Sequence, residues 1–157
     1  MPRLVKGGKY VFGWSRVERN GTVAIPPEAL DEYRMNESEN LILMPGSRTS
    51  GGFGLSRSES LIKNPLGEVL KARPGLREYE IPEGRVIEYK DRPFCWIRLN
   101  RGHITIPPRT LGSYGLRAGD KLLVIRGSGR AIAFITKGPI TEEAEKHKEL
   151  PVFDPYT

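Results

Sequence analysis

The chain is a tandem repeat. The pentapeptide VAIPP at residues 23–27 returns as ITIPP at residues 104–108, and the surrounding sequence follows at a constant offset of 81 positions. When residues 21–47 are aligned with residues 102–128, nine of the 27 positions are identical. Self-similarity at a fixed period identifies the structural unit of a repeat protein. The unit here is about half of the chain.

The length of the repeat constrains how the two copies fold. Half of a 157-residue chain lies near the lower limit at which a domain buries enough apolar surface to fold alone. We therefore expect the two copies to share one core. The predicted organisation is a first repeat with a trailing helix in residues 1–72, a connector in residues 73–84, and a second repeat with a trailing helix and tail in residues 85–157.

Each repeat opens with an aromatic strand, FGW in the first and FCW in the second, and these align once one inserted residue is allowed before Gly21. We expect their aromatic side chains in the core. A turn at Gly21 or Gly102 then leads to a short β-branched strand that ends in Ile-Pro-Pro. A residue before proline avoids the helical region, and proline suits the first helical position. The Pro-Pro pairs therefore predict short helices over residues 27–33 and 108–114.

An apolar hairpin follows each predicted helix. Its first strand is LILM at residues 41–44 in one repeat and LLVI at residues 122–125 in the other, and a Gly-Ser turn follows each. Proline-initiated helices are predicted after the hairpins, over residues 64–71 and 138–146. The tail, residues 151–157, is predicted to be extended, with a composition that allows disorder.

Charge distinguishes the two repeats more than their apolar residues do. The whole chain has a net charge of +6. Residues 11–56 carry four basic and six acidic residues, whereas residues 92–137 carry nine basic residues and only Asp120 to oppose them. Such an excess of positive charge favours an anionic partner for the second repeat, and a solvated charged face is the plainer interpretation.

The pattern is clearest in the second repeat, in RGHITIPP at residues 101–108 and YGLRAGDKL at residues 114–122. This order of elements resembles the AbrB/SpoVT/MazE family in both repeats, over roughly residues 14–53 and 96–137. The resemblance implies a mainly β fold with short helices, in which two copies exchange hairpins to close a swapped-hairpin (double-split) β-barrel. Two copies in one chain, as in the related MraZ proteins, imply an intramolecular pseudodimer. An isolated hairpin is marginal in water, which agrees with this arrangement.

The resemblance also implies a function. Proteins of this family usually bind DNA, so the leading expectation is a cytoplasmic transcriptional regulator that binds duplex DNA mainly through its basic second repeat. Guanidinium groups near the turn glycines and the second short helix are expected to contact phosphates or guanine edges. The predicted DNA-binding residues are Arg98, Arg101, Arg109, Arg117, Arg16 and Arg19.

The residues after the turn glycines leave a second hypothesis open. Thr22 and His103 stand where the family commonly has an arginine. The alternative function is a protein-interaction module, antitoxin-like or an assembly adaptor, that holds a protein partner on the same barrel. A homo-oligomer is compatible with either function.

The sequence carries no pattern typical of catalysis or of a cofactor. His103 and His147 lack a cluster of Cys or His at metal-ligand spacing, residues 47–52 match no phosphate-loop pattern, and the lone Cys95 falls in a predicted strand. We therefore expect no enzyme activity, no metal and no cofactor. The chain also has no apolar run long enough to span a bilayer and no apolar signal core near its start, so we expect no membrane partner.

Overall fold

The structure, a computed structural model, describes residues 10–35, 37–63, 65–127 and 130–155. The strands in these ranges are β1 (Val11–Arg16), β2 (Thr22–Ala24), β3 (Glu39–Pro45), β4 (Phe53–Ser56), β5 (Ile87–Tyr89), β6 (Arg92–Leu99), β7 (His103–Thr105), β8 (Lys121–Arg126), β9 (Ile132–Ile135) and β10 (Val152–Phe153). The α-helices are α1 (Pro27–Glu32), α2 (Ser58–Leu61), α3 (Glu68–Ala72), α4 (Pro74–Arg77), α5 (Pro108–Ser113) and α6 (Pro139–Ala144). The described part is thus mainly β with six short helices, which confirms the prediction at this level.

The helices predicted from the Pro-Pro pairs are present, because α1 and α5 each begin at the second proline. Both end on a residue in the left-handed conformation, Arg34 at φ 56° in the first repeat and Gly115 at φ 73° in the second. In the first repeat the N–H of Met35 then returns to the carbonyl of Leu30 at 2.8 Å, and the second repeat makes the equivalent bond at 2.9 Å. This is the usual way in which a left-handed residue terminates a helix.

The segments after the hairpins differ from the prediction in detail. The first trailing helix is divided into a 3₁₀ turn, Pro65–Gly67, and α3, and the segment predicted as a connector contains α4. The prediction of an extended tail is confirmed at β10, which pairs in parallel with β1. The predictions for residues 1–9, for Asn64 and for the last two residues of the tail lie outside the described residues.

The strand order of the main sheet shows how the two repeats are joined. Among the described strands that order is β10-β1-β8-β9-β4-β3-β6-β5. The aromatic strand β1 of the first repeat pairs with β8 of the second, and β6 of the second pairs with β3 of the first. The two hairpins meet where β4 pairs with β9. Each aromatic strand therefore completes the hairpin of the other repeat instead of its own.

The registers follow the sequence repeat. Trp14 lies opposite Leu123 in the β1–β8 pair, and Trp96 lies opposite Ile42 in the β6–β3 pair. These two pairs occupy equivalent positions of the two repeats. The interlocked arrangement is therefore approximately two-fold symmetric around the β4–β9 junction.

The strands β2 and β7 form a separate antiparallel ribbon. Its two ends are held in the same way, because Ile106 donates its N–H to the carbonyl of Gly21 at 2.9 Å and Ile25 donates to the carbonyl of Gly102 at 2.9 Å. Each turn glycine therefore lies against the strand end of the other repeat, and the ribbon fastens the two repeats together.

The two glycine turns differ by one residue. The first repeat uses a three-residue loop over residues 19–21, and the second uses a two-residue loop of Arg101 and Gly102. The φ values of 52° and 80° in the second loop are those of a type I′ hairpin turn. The longer first loop accounts for the inserted residue that the sequence alignment requires before Gly21.

Side chains of both repeats form a central core between the ribbon and the inner face of the main sheet. Phe53 and Phe134 stack at the β4–β9 junction with ring centroids 4.7 Å apart. Other fully buried members of this core are Leu41, Leu43, Leu55, Cys95, Ile97, Ile104, Leu122 and Val124. The two repeats therefore share one core, as the length of the repeat predicts.

Two smaller apolar clusters lie on the outer face of the main sheet. Trp14 packs in one cluster together with α6, and Trp96 packs against the other together with α3 and α4. A bulge between Val11 and Gly13 in β1 places Phe12 in the central core and Trp14 on the outer face. Phe12 and Trp14 are buried, whereas Phe94 and Trp96 are partly buried. The expectation that all four belong to one core is wrong, because only Phe12 lies in the central core.

The main sheet is open. Within the described residues, β10 at one edge and β5 at the other pair with one neighbour each, so the sheet does not close on itself. Both edge strands lie outside the repeated pattern of β1, β3, β4, β6, β8 and β9. They extend the sheet at its two edges and do not contribute to the pairing between the two repeats' aromatic strands and hairpins.

Gly21 and Gly115 provide a matched test of the ribbon junction. Both have positive φ, 86° and 73°, but a β-carbon on Gly21 would lie 1.9 Å from the carbonyl oxygen of Ile106, whereas one on Gly115 would meet nothing within 4 Å. We expect Gly115→Ala to lower the free energy of unfolding by about 1–2 kcal/mol through its left-handed backbone alone. Gly21→Ala should cost clearly more, because the two repeats must also separate. If urea unfolding shows that both variants lower the free energy of unfolding equally, Gly21 is not in close contact with the strand end at Ile106.

Cys95 tests the packing of β6. Burial raises the pKa of the Cys95 thiol to about 12. The thiolate is the reactive form, so we expect a thiol reagent at about pH 8 to label Cys95 only after unfolding, when its pKa returns to about 8.5. Labelling would be followed with and without denaturant. Rapid labelling of the folded protein would show that β6 is not held in the core.

Candidate nucleic-acid interface

The two turns, the ribbon and the starts of α1 and α5 lie together at one end of the protein. The turn glycines accept hydrogen bonds from Ile25 and Ile106, which directly precede the two Pro-Pro pairs. Gly102 also lies next to the side chain of Leu30 in α1. All six arginines predicted to bind DNA belong to these elements or to the segments that adjoin them.

The strand exchange brings arginines of both repeats to the end of β1. The loop between α5 and β8 is fixed to this strand by two backbone hydrogen bonds to Val17, of 2.8 and 2.7 Å. Arg16 and Arg19 of the first repeat therefore lie close in the fold to the loop that carries Arg117 of the second. Lys121 adds a further cation there, because it is the β8 residue opposite Arg16.

The end of β6 has a different charge environment. The guanidinium of Arg98 donates to the side chain of Asn40 at 3.1 Å, and its backbone N–H donates to the carboxylate of Glu83 at 3.0 Å. Arg101 lies in the turn beside α1, a helix with three acidic and no basic residues. Arg98 therefore stands beside a carboxylate, and the turn that carries Arg101 lies next to an acidic helix.

Arg109 lies between these two regions. It is exposed in the first turn of α5. That helix starts against the first turn through the Ile106–Gly21 hydrogen bond, and Thr110 donates to the carbonyl of Gly84 in the segment before β5. Arg109 is therefore placed to contact a ligand that lies across the end of β1 and the end of β6.

Few of these guanidinium groups are neutralised by the protein. All six predicted arginines are exposed. Arg16 forms an ion pair with Asp154 at 3.5 Å, and Arg98 is held by Asn40. The other four have no side-chain partner within the described part of the chain: Arg19, Arg101, Arg109 and Arg117.

A groove of ≈ 400 Å³ beside the ribbon is lined by residues of both repeats. The hydroxyls of Thr22 and Thr105 lie 3.0 Å apart along it. Its lining also includes two amides, one guanidinium and one carboxylate, from Asn20, Asn100, Arg98 and Glu83. The groove is therefore close to neutral and rich in hydrogen-bonding groups, which suits polar contacts more than charge attraction.

The acidic charge of α1 is partly neutralised inside the protein. The hydroxyl of Tyr10 donates to Glu28, and this hydrogen bond raises the pKa of Tyr10 to about 12. Arg126 donates two hydrogen bonds of 2.6 Å to Glu32, and this interaction raises the pKa of Arg126. Asp31 of the same helix is exposed.

Two features of this surface depend on strand register and are not evident from the sequence. The ammonium of Lys121 lies 4.5 Å from the ring centroid of Trp14, although the two residues are more than a hundred positions apart. Four arginines also converge on a cleft between α1 and the β8–β9 hairpin: Arg34, Arg57, Arg126 and Arg130. The excess of positive charge in residues 92–137 is the only sequence signal that points toward either feature.

The chain matches no family model and no curated protein. Among the described residues, no group of three or more His, Cys, Asp or Glu side chains could hold a metal ion. None of the described helices has the length and apolar character to cross a membrane. Function is therefore inferred from the geometry of the arginine-rich end.

Proposed function

We propose that the chain is a tandem protein of the AbrB/SpoVT/MazE type, in which the two repeats form a swapped-hairpin barrel as an intramolecular pseudodimer. Three observations support this proposal. The aromatic strand of each repeat pairs with the hairpin of the other, the registers of the two pairs are equivalent, and the ribbon packs over the inner face of the main sheet. In this interpretation β5 and β10 are additions at the edges of the barrel.

We further infer that the protein binds duplex DNA and acts as a transcriptional regulator. The observation that carries this inference is the gathering of exposed arginines from both repeats at one end, where most have no side-chain partner among the described residues. Unpaired cations on one surface attract the phosphate backbone, which supplies much of the affinity of DNA-binding proteins.

The arrangement suggests distinct roles for the polar groups. Arg19, Arg109 and Arg117 project from a turn, a helix start and a loop, where they would contact phosphates and fix the protein on the duplex. The neutral groove beside the ribbon includes the exposed amide of Asn100, a group of the kind that reads base edges. The first repeat thus contributes to the interface together with the more basic second repeat.

A protein-interaction module is the second candidate function. The acidic composition of α1 and the carboxylate of Glu83 near Arg98 favour it, because both would repel a duplex laid symmetrically over the two turns. In that case the same end of the protein would hold a partner with basic groups facing α1.

Removal of the unpaired arginines tests DNA binding. We expect the triple variant Arg19→Ala, Arg109→Ala and Arg117→Ala to bind unrelated duplexes more weakly, because interactions with phosphates carry no sequence information. The slope of log affinity against log salt should fall by about 0.9 for each phosphate that the variant no longer neutralises. Fluorescence anisotropy over a salt series measures both quantities.

A triple variant of equal charge is the control. Arg48, Lys63 and Arg77 are exposed and lie outside the arginine-rich end, so their replacement by alanine should change the salt slope little. If both triple variants weaken DNA binding equally, the binding depends on the net charge of the protein and not on a particular surface. If the intact protein binds no duplex at low salt, the DNA-binding proposal fails and the protein-interaction function replaces it.

A further inference from the structure

A second arginine-rich site lies away from the proposed DNA surface. It is a cleft of ≈ 560 Å³ between the end of α1 and the β8–β9 hairpin. The strand β8 starts at Lys121, beside the end of β1, and finishes at Arg126 in this cleft. Four arginines line the cleft together with a glutamate and a tyrosine of the first repeat: Arg34, Arg57, Arg126, Arg130, Glu32 and Tyr33.

Two of the four arginines hold the walls of the cleft together. Arg57 donates to both carboxylate oxygens of Glu39, at 2.7 and 3.0 Å, and to the carbonyls of Tyr33 and Arg34. Arg126 makes an equally close pair with Glu32 across the two repeats. The charges of these two guanidinium groups are therefore largely compensated.

The other two arginines are not compensated. Arg34 and Arg130 are exposed, and neither has a side-chain partner among the described residues. Both have positive φ, 56° and 64°, a conformation that glycine adopts far more easily than arginine. The left-handed backbone at Arg34 ends α1, but glycine meets that need with less strain, as Gly115 does at the equivalent helix end.

The repeat itself shows that the fold does not require these arginines. Gly115, Thr136 and Pro45 occupy the positions equivalent to Arg34, Arg57 and Arg126. The helix end at Gly115 has the same backbone hydrogen bonds as the one at Arg34. The cleft therefore carries arginines at positions where the equivalent site, related by the repeat, has none.

We propose that this cleft binds a phosphorylated small molecule, with a dianionic phosphate held between Arg34 and Arg130. Two uncompensated guanidinium groups match the charge of such a phosphate, and their planar forks match its oxygens. The volume of the cleft lies within the range of about 300–1,000 Å³ that is typical of small-molecule sites. Because one arginine comes from each repeat, the ligand bridges the two repeats and stabilises their docked state.

Calorimetric titration of the intact protein with inorganic pyrophosphate tests the proposal at constant ionic strength. We expect saturable binding that the variants Arg34→Gly and Arg130→Gly each weaken by about tenfold, the effect typical of removing one charged hydrogen bond. Glycine suits the positive φ at both positions, so the melting temperatures of the unliganded variants should be unchanged or higher. The control Arg48→Ala should bind pyrophosphate like the unmodified protein.

Titration of the same variants with duplex DNA tests whether the cleft binds a small phosphorylated ligand or the phosphates of a DNA backbone. The glycine variants should keep their affinity for DNA while their affinity for pyrophosphate falls. The proposal is overturned if the intact protein binds no pyrophosphate, or if both glycine variants bind it as tightly as the unmodified protein. It is also overturned if the affinities of these variants for DNA and for pyrophosphate fall in parallel, because the cleft would then belong to the DNA surface.

Discussion

The pairing of β1 with β8, and of β6 with β3, is the interaction on which the rest of the structure depends. An unpaired strand edge exposes backbone donors and acceptors and leaves an apolar face open to water. In each repeat, the hairpin edge is completed by the aromatic strand of the other repeat. Neither half of the chain therefore contains the partners that its own strands need, and the shared core follows from this exchange.

The same exchange determines where charge lies on the surface. Along the sequence, positive charge is concentrated in the second repeat. In the fold, Arg117 of that repeat is carried by a loop fixed to the end of β1, near Arg16 and Arg19 of the first. Arg101 lies in a turn beside the acidic helix α1. A nearly symmetric scaffold thus presents an asymmetric surface, and both proposed sites depend on differences between equivalent positions.

Much of the architecture could be predicted from the sequence. The Pro-Pro pairs predict the starts of α1 and α5 because proline restricts its own backbone and that of the residue before it. The apolar runs predict both hairpins. Placement in three dimensions is harder to predict, because it depends on register. A bulge between Val11 and Gly13 places Trp14 on the outer face, and the cleft arginines come together only through the strand pairing between the two repeats.

The most direct test of the interlocked fold is to produce residues 1–78 and residues 79–157 separately and to measure their size and near-ultraviolet circular dichroism. Each half contains one tryptophan, and each tryptophan lies opposite a hairpin residue of the other half. The structure predicts that each half alone is unfolded or forms a homodimer, and that mixing the halves restores a compact heterodimer with ordered tryptophan signals. A folded, monomeric half with a native-like tryptophan signal would contradict the exchange of strands.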